Sequence, residues 1–124
     1  MILKLKPLLV LENSVMEQAL LTEALRSHRE FQLTYRRSLA LGWPMLETGH
    51  GWHMIIVDGI LDDSTLYTDE DEFRQFCEAA RKFCPVLLWL SVPPIRPIEW
   101  APVLMKDAAD HESRELLNIL LDLP

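Results

Sequence analysis

The sequence predicts an α/β fold: a five-stranded parallel sheet with helices on both faces. Three observations carry this. Short, continuous apolar runs recur along the chain, as strands buried on both faces require. Segments with helical spacing of apolar residues lie between them. Most of the runs end in polar or charged residues, which is how strands leave a buried sheet. With 124 residues, 49% hydrophobic and 25% charged, the chain has ample material for one core and is expected to form a single domain, residues 1–124.

Leu8-Leu9-Val10-Leu11 is the first strand. Ser14 and Glu17 then fit a capping box, Ser14 capping and Glu17 reaching back. Met16, Leu20, Leu21, Ala24 and Leu25 continue at helical spacing, and the helix should stop near Arg26–His28. Phe31 to Tyr35 alternates and is rich in strand formers. Ser38 can cap a helix through Leu46, but Gly42 and Pro44 fall inside it, so a short or broken helix is expected. Trp52 to Val57 is the third strand and runs straight into Asp58-Gly59.

Thr68 precedes Asp69-Glu70-Asp71-Glu72, and acids in a first turn face a helix's partial positive charge. Phe73, Phe76, Cys77, Ala80 and Cys84 share one face of that helix, which should end just before Pro85. Val86 to Leu90 is the fourth strand, ending at Ser91. Pro93, Pro94 and Pro97 forbid a helix in Val92–Trp100 and predict an extended loop. Pro102 to Met105 is the fifth strand, ending at Lys106. A last helix, from about Asp110 through Leu121, carries Leu116, Leu117, Leu120 and Leu121 on one side. Five parallel strands suit the flavodoxin-like order 2-1-3-4-5, in which sites form outside the carboxyl ends of the strands.

Glu12 and Asn13, Asp58, Ser91 and Lys106 stand at those ends. In these residues the whole chain resembles the receiver domains of bacterial response regulators. That family has an acidic pair after strand 1, a phosphoaccepting aspartate after strand 3, Ser or Thr after strand 4 and Lys after strand 5. The spacing from Asn13 to Asp58 is close to the family's. The resemblance implies a phosphoacceptor at Asp58, Mg²⁺ held by Glu12, Asn13 and Asp58, and Ser91 and Lys106 contacting the phosphoryl group. It also implies a sensor histidine kinase or phosphotransfer protein as partner, an output domain outside these residues, possible homodimerisation, a cytoplasmic location and no enzymatic role. The chemistry suits the residue types, since a carboxylate can become an aspartyl phosphate and catalysis is mostly positioning and charge neutralisation.

The departures define an atypical receiver. Asn13 lacks a charge, which should weaken Mg²⁺. Asp107 rather than proline follows Lys106, so that bond should be trans. Val103 stands where an aromatic switch is common. Ser91 and Lys106 are too close in sequence for the family's fourth helix, and the Pro-rich loop replaces it. The alternative is a phosphorylation-independent pseudo-receiver acting as an interaction module.

Other classes fit less well. A net charge of -7 argues against a nucleic-acid or anionic membrane surface. Two cysteines do not make a secreted disulfide framework, and Cys77 and Cys84 read as core thiols. Met1 to Lys6 is too short and too charged to be expected to act as a signal peptide, and the longest apolar runs, such as Pro85–Leu90, are strand-length. A dehalogenase-type phosphatase needs a second Asp where Ile60 stands, and a dinucleotide fold needs glycines after strand 1. His50 and His53 lack further ligands nearby and are not expected to hold a metal. The four tryptophans read as core or edge aromatics, with Trp100 beside the prolines also suited to a partner contact.

Overall fold

The computed structural model describes residues 4–48, 51–59, 70–94, 97–107 and 113–123. Its elements are β1 (Lys6–Leu11), α1 (Val15–Ala24), β2 (Phe31–Arg36), α2 (Leu39–Thr48), β3 (Met54–Asp58), α3 (Glu70–Arg81), β4 (Val86–Leu90), β5 (Val103–Met105) and α4 (Arg114–Asp122). All strand pairs are parallel, in the order β2-β1-β3-β4-β5. This is the flavodoxin-like arrangement expected from the sequence.

Strand periodicity sorts the core into two layers. Leu9, Leu11, Ile55, Val57, Leu88 and Leu90 face α2 and α3, where they meet Leu39, Leu46, Phe73, Phe76, Cys77 and Ala80. The alternate residues Leu8, Val10, Ile56, Leu87 and Trp89 face α1 and α4 and meet Leu21, Leu25, Leu116 and Leu120. The predicted stripe is buried throughout, including both thiols, but α3 ends at Arg81 rather than just before Pro85, so Cys84 packs from the turn that follows it. Burial pushes the Cys77 thiol up to about 12 and the Cys84 thiol up to about 11.

The helix over Leu39–Thr48 is continuous, not broken as expected. Ser38 caps it by accepting from Leu41 N at 3.1 Å. Pro44 has no N–H to give Ala40, but both residues are exposed, so water can serve the orphaned carbonyl. Gly42 is required by close approach: a Cβ there would lie 2.9 Å from Leu11 Cδ1 and 3.2 Å from Phe76 Cε2.

Two helix faces also depart from expectation. On α1, Leu21 and Leu25 are buried, whereas Met16 and Leu20 point outward, with 73% and 55% of their surface exposed. Near its N-terminus α1 is anchored by polar contacts: Gln18 Nε2 donates to Glu12 O at 2.7 Å, and Tyr35 Oη donates to Gln18 O at 2.9 Å. On α4, Leu116 and Leu120 are buried while Leu121 is exposed, because one helix presents only one stripe to the sheet. That helix starts at Arg114, after Ser113, and the start expected near Asp110 lies outside the described residues, as do Thr68, Asp69 and His50. His53 packs its ring against Phe31 instead, centroids 6.0 Å apart.

Among the described residues no helix lies between β4 and β5. Val92–Pro94 and 97–100 have no regular structure, as the prolines dictate. The last part of the crossover is nevertheless anchored. Trp100 and Ala101 are buried against the α3 layer, and Arg81 Nη1 donates to Trp100 O at 2.9 Å. That burial makes Trp100 a core residue rather than a partner contact.

Candidate functional site

The parallel sheet carries the predicted residues to one edge. Glu12 leaves β1, with its N–H held by Arg36 O of β2 at 2.8 Å. Asp58 is the last residue of β3 and pairs in register with Trp89. Lys106 leaves β5, its N–H donating to Leu90 O at 2.6 Å. These backbone bonds are the reason residues far apart in sequence share one site.

Lys106 is the centre of the cluster. Its ammonium donates to Asp58 Oδ1 at 3.0 Å and to Glu17 Oε2 at 2.5 Å, and stands 3.5 Å from Glu12 Oε1. It also lies over the Trp89 ring, 4.8 Å from the centroid. Burial works against its charge, but Glu17, Asp58 and Glu12 together outweigh that and hold its pKa above the ordinary value.

Glu12 is the anomaly. It is only 3% exposed, and as a carboxylate its Oε2 has no donor. Burial pushes its pKa up to about 9, with the neighbouring Asp58 carboxyl adding to the rise and Lys106 opposing it. Burial thus favours the protonated form of Glu12, which can donate a hydrogen bond to the Asp58 carboxyl.

Asn13 follows Glu12 and is half-buried. Ser91 follows β4 at the same edge. With Lys106, Glu17, Leu20, Leu104 and Leu116 it lines a cavity of about 300 Å³ between α1, β5 and α4. The arrangement thus brings Glu12, Asp58 and Lys106 together and places Asn13 and Ser91 beside them.

Glu17 was legible only as half of a capping box. Ser14 Oγ does accept from Glu17 N at 3.3 Å, but the Glu17 carboxylate does not reach back to the cap. It takes the Lys106 ammonium, since a charge-assisted bond outcompetes one to a neutral N–H. Its place in the first turn of a helix opening at the sheet's carboxyl edge was the available signal. Trp89, read only as a core or edge aromatic, is the floor beneath Lys106.

Among the described residues, no three of His, Cys, Asp and Glu are arranged to hold a metal ion. Mg²⁺ asks less, because it is commonly held by one or two carboxylates plus water. Glu12 and Asp58 are two adjacent carboxyls, and in its ionised form Glu12 leaves Oε2 without a donor, so the residues fit such an ion once it displaces the Glu12 proton. Among the described residues no helix is long and apolar enough to cross a membrane.

No family model matches the chain, and no curated protein matches it. Solved structures do. One is a response regulator from Thermotoga maritima crystallised with Mg²⁺ and BeF, with a TM-score of 0.71 and 15% identity over 94% of this chain and 99% of that one. Another is a CheY-like receiver domain protein from Methanospirillum hungatei, with a TM-score of 0.72 and 13% identity over 96% and 95%. A third is a receiver domain from Saccharomyces cerevisiae solved with a histidine phosphotransfer protein, with a TM-score of 0.72 and 14% identity over 99% and 91%. The fold is that of response regulator receiver domains.

Proposed function

We propose that this chain is a signalling receiver module in which Asp58 accepts a phosphoryl group. The observation that carries the reading is the Asp58–Lys106 contact of 3.0 Å at the carboxyl edge of a receiver sheet, with Glu12 beside it. In the reaction, an Asp58 oxygen attacks phosphorus. The bond from phosphorus to the donor breaks, and its electron pair leaves with the donor. Glu12, Asp58 and Asn13 would hold Mg²⁺, which supplies neutralising charge to the phosphoryl oxygens. Lys106 offers an ammonium to the same oxygens, and Ser91 a hydroxyl.

The donor is a histidine kinase or phosphotransfer protein, and the output domain lies outside these residues. Exposed Val15, Met16 and Leu20 lie on α1, the helix that also carries Glu17, and offer such a partner an apolar surface. The site is weakened relative to its relatives by the missing charge at Asn13. The response is muted because Val103, at an edge strand of three residues, cannot act as an aromatic switch.

The test is incubation with acetyl phosphate over a Mg²⁺ series, read by mass, with Asp58→Asn as control. Slow gain of one phosphoryl group, only at raised Mg²⁺ and only with Asp58 present, is expected. Rapid, complete labelling at low Mg²⁺ would contradict the weakened site.

A second reading is a pseudo-receiver that binds partners without phosphorylation. The proton held by Glu12, and a Lys106 already committed to three carboxyls, favour it. No labelling at any Mg²⁺, with partner binding unchanged in Asp58→Asn, would establish it.

A further inference from the structure

Glu17 has no part in the reading so far, yet it makes the shortest contact of the cluster. A glutamate three residues past a serine cap ordinarily serves the cap's own N–H. Here it crosses to Lys106 Nζ at 2.5 Å, against 3.0 Å for Asp58 and 3.5 Å for Glu12.

The three carboxyls differ in what holds them. The side chains of Glu12 and Asp58 are 4% and 9% exposed, whereas that of Glu17 is 36% exposed. A lysine ammonium has three N–H donors and no more. Two of them go to Glu17 and Asp58, while Glu12 stands at 3.5 Å without a hydrogen bond, so an anion arriving at Asp58 competes for the ammonium with the partners already there. Glu12 and Asp58 cannot turn to water. Glu17 can, with its oxygens rehydrated at little cost. Its negative charge beside Lys106 also repels an arriving anion.

We propose that Glu17 is a latch on Lys106: it holds the ammonium in the resting site and is exchanged for an anion arriving at Asp58. No bond to Glu17 is made or broken; one ion pair replaces another. The latch rests on Asp58 being the acceptor, and it makes Glu17 a positioning residue whose contact sets the threshold of the site.

The test uses the whole chain, Glu17→Gln, and beryllofluoride with Mg²⁺ as a phosphoryl mimic. Nuclear magnetic resonance of the Lys106 ammonium and its neighbouring methylene reads the contact directly. Thermal melting checks that the exposed substitution leaves the fold intact. The Lys106 signals should shift in Glu17→Gln before any anion is added. Beryllofluoride should bind the variant about two- to fivefold more tightly, the worth of a partly exposed ion pair. Lys106 signals identical in the two proteins would overturn the latch. So would beryllofluoride affinity that is unchanged or weaker in the variant. If beryllofluoride binds neither protein while the Lys106 signals still move, the acceptor reading fails, and the exchange with it.

Discussion

A glutamine at position 12 should make the protein more stable, and the gain should grow with pH. Glu12 is buried, its Oε2 has no donor as a carboxylate, and its pKa is pushed up from 4.5 to about 9. In the unfolded chain it titrates near the ordinary value. The folded pKa lies above the unfolded one, so the stability this group contributes is full below about pH 4.5 and is lost as pH rises through about 9. Each unit within that window costs about 1.4 kcal/mol. By pH 7 the native protein has therefore lost about 3 kcal/mol that a glutamine would not lose. The amide also keeps an N–H to offer Asp58, as the protonated acid does. Urea unfolding of both proteins in EDTA, from about pH 4.5 to about pH 7.5, is the assay. The chelator keeps divalent cations from ionising Glu12. The curves should nearly coincide at the acid end. At pH 7 the variant should lead by up to about 3 kcal/mol, roughly 10 °C in Tm for a chain of this size. A difference that stays constant with pH, or a wild type that is the more stable at pH 7, would refute the protonated Glu12.

Other substitutions probe the rest of the structure. Phe76→Ala removes a fully buried ring that packs on Gly42 and Trp43 and should cost about 3–5 kcal/mol in urea unfolding; a cost under about 1 kcal/mol would mean the α3 layer is not packed as described. Lys106→Met leaves the buried Asp58 carboxylate without its cation and should cost about 3 kcal/mol in urea unfolding at pH 7; a cost under about 1 kcal/mol would show that the Asp58–Lys106 pair does not hold the edge together. The Cys77 and Cys84 thiols, pushed up to about 12 and about 11, should resist iodoacetamide at pH 8 in the native state and react once unfolded in urea. Their contribution to stability is complete below about pH 9 and lost as pH rises through about 11, and prompt native-state adducts seen by mass would show the thiols are reachable.

What the sequence makes legible is what depends on neighbours along the chain. Strand runs such as Leu8–Leu11 and Val86–Leu90 announce two-sided burial by being apolar at every position, and their ends mark where Asp58 and Lys106 must emerge. The prolines of 92–100 exclude a helix from any viewpoint. Glu17 is different. Its local pattern points to a cap, and its true partner lies 89 residues away, brought there only by the sheet order. The outward face of α1 is hidden for a related reason: Met16 and Leu20 keep helical spacing with Leu21 and Leu25, so periodicity alone cannot say which stripe meets the sheet. Pro44 misleads in the opposite sense, because its cost depends on whether the carbonyl it orphans is wet.

Trp89 gives the site its own optical reporter. The indole has a cation 4.8 Å from its centroid, and the energy of its excited state responds to the field of that charge. Any event that draws Lys106 away changes the field at the ring within the lifetime of the contact. Trp43 stacks edge-on against Phe76, Trp52 donates to Met45 O and Trp100 is buried by the crossover, so all three answer to other surroundings. Replacing them with phenylalanine would leave a single emitter seated under the ammonium. Movement of the Lys106 ammonium could then be followed in real time without a label.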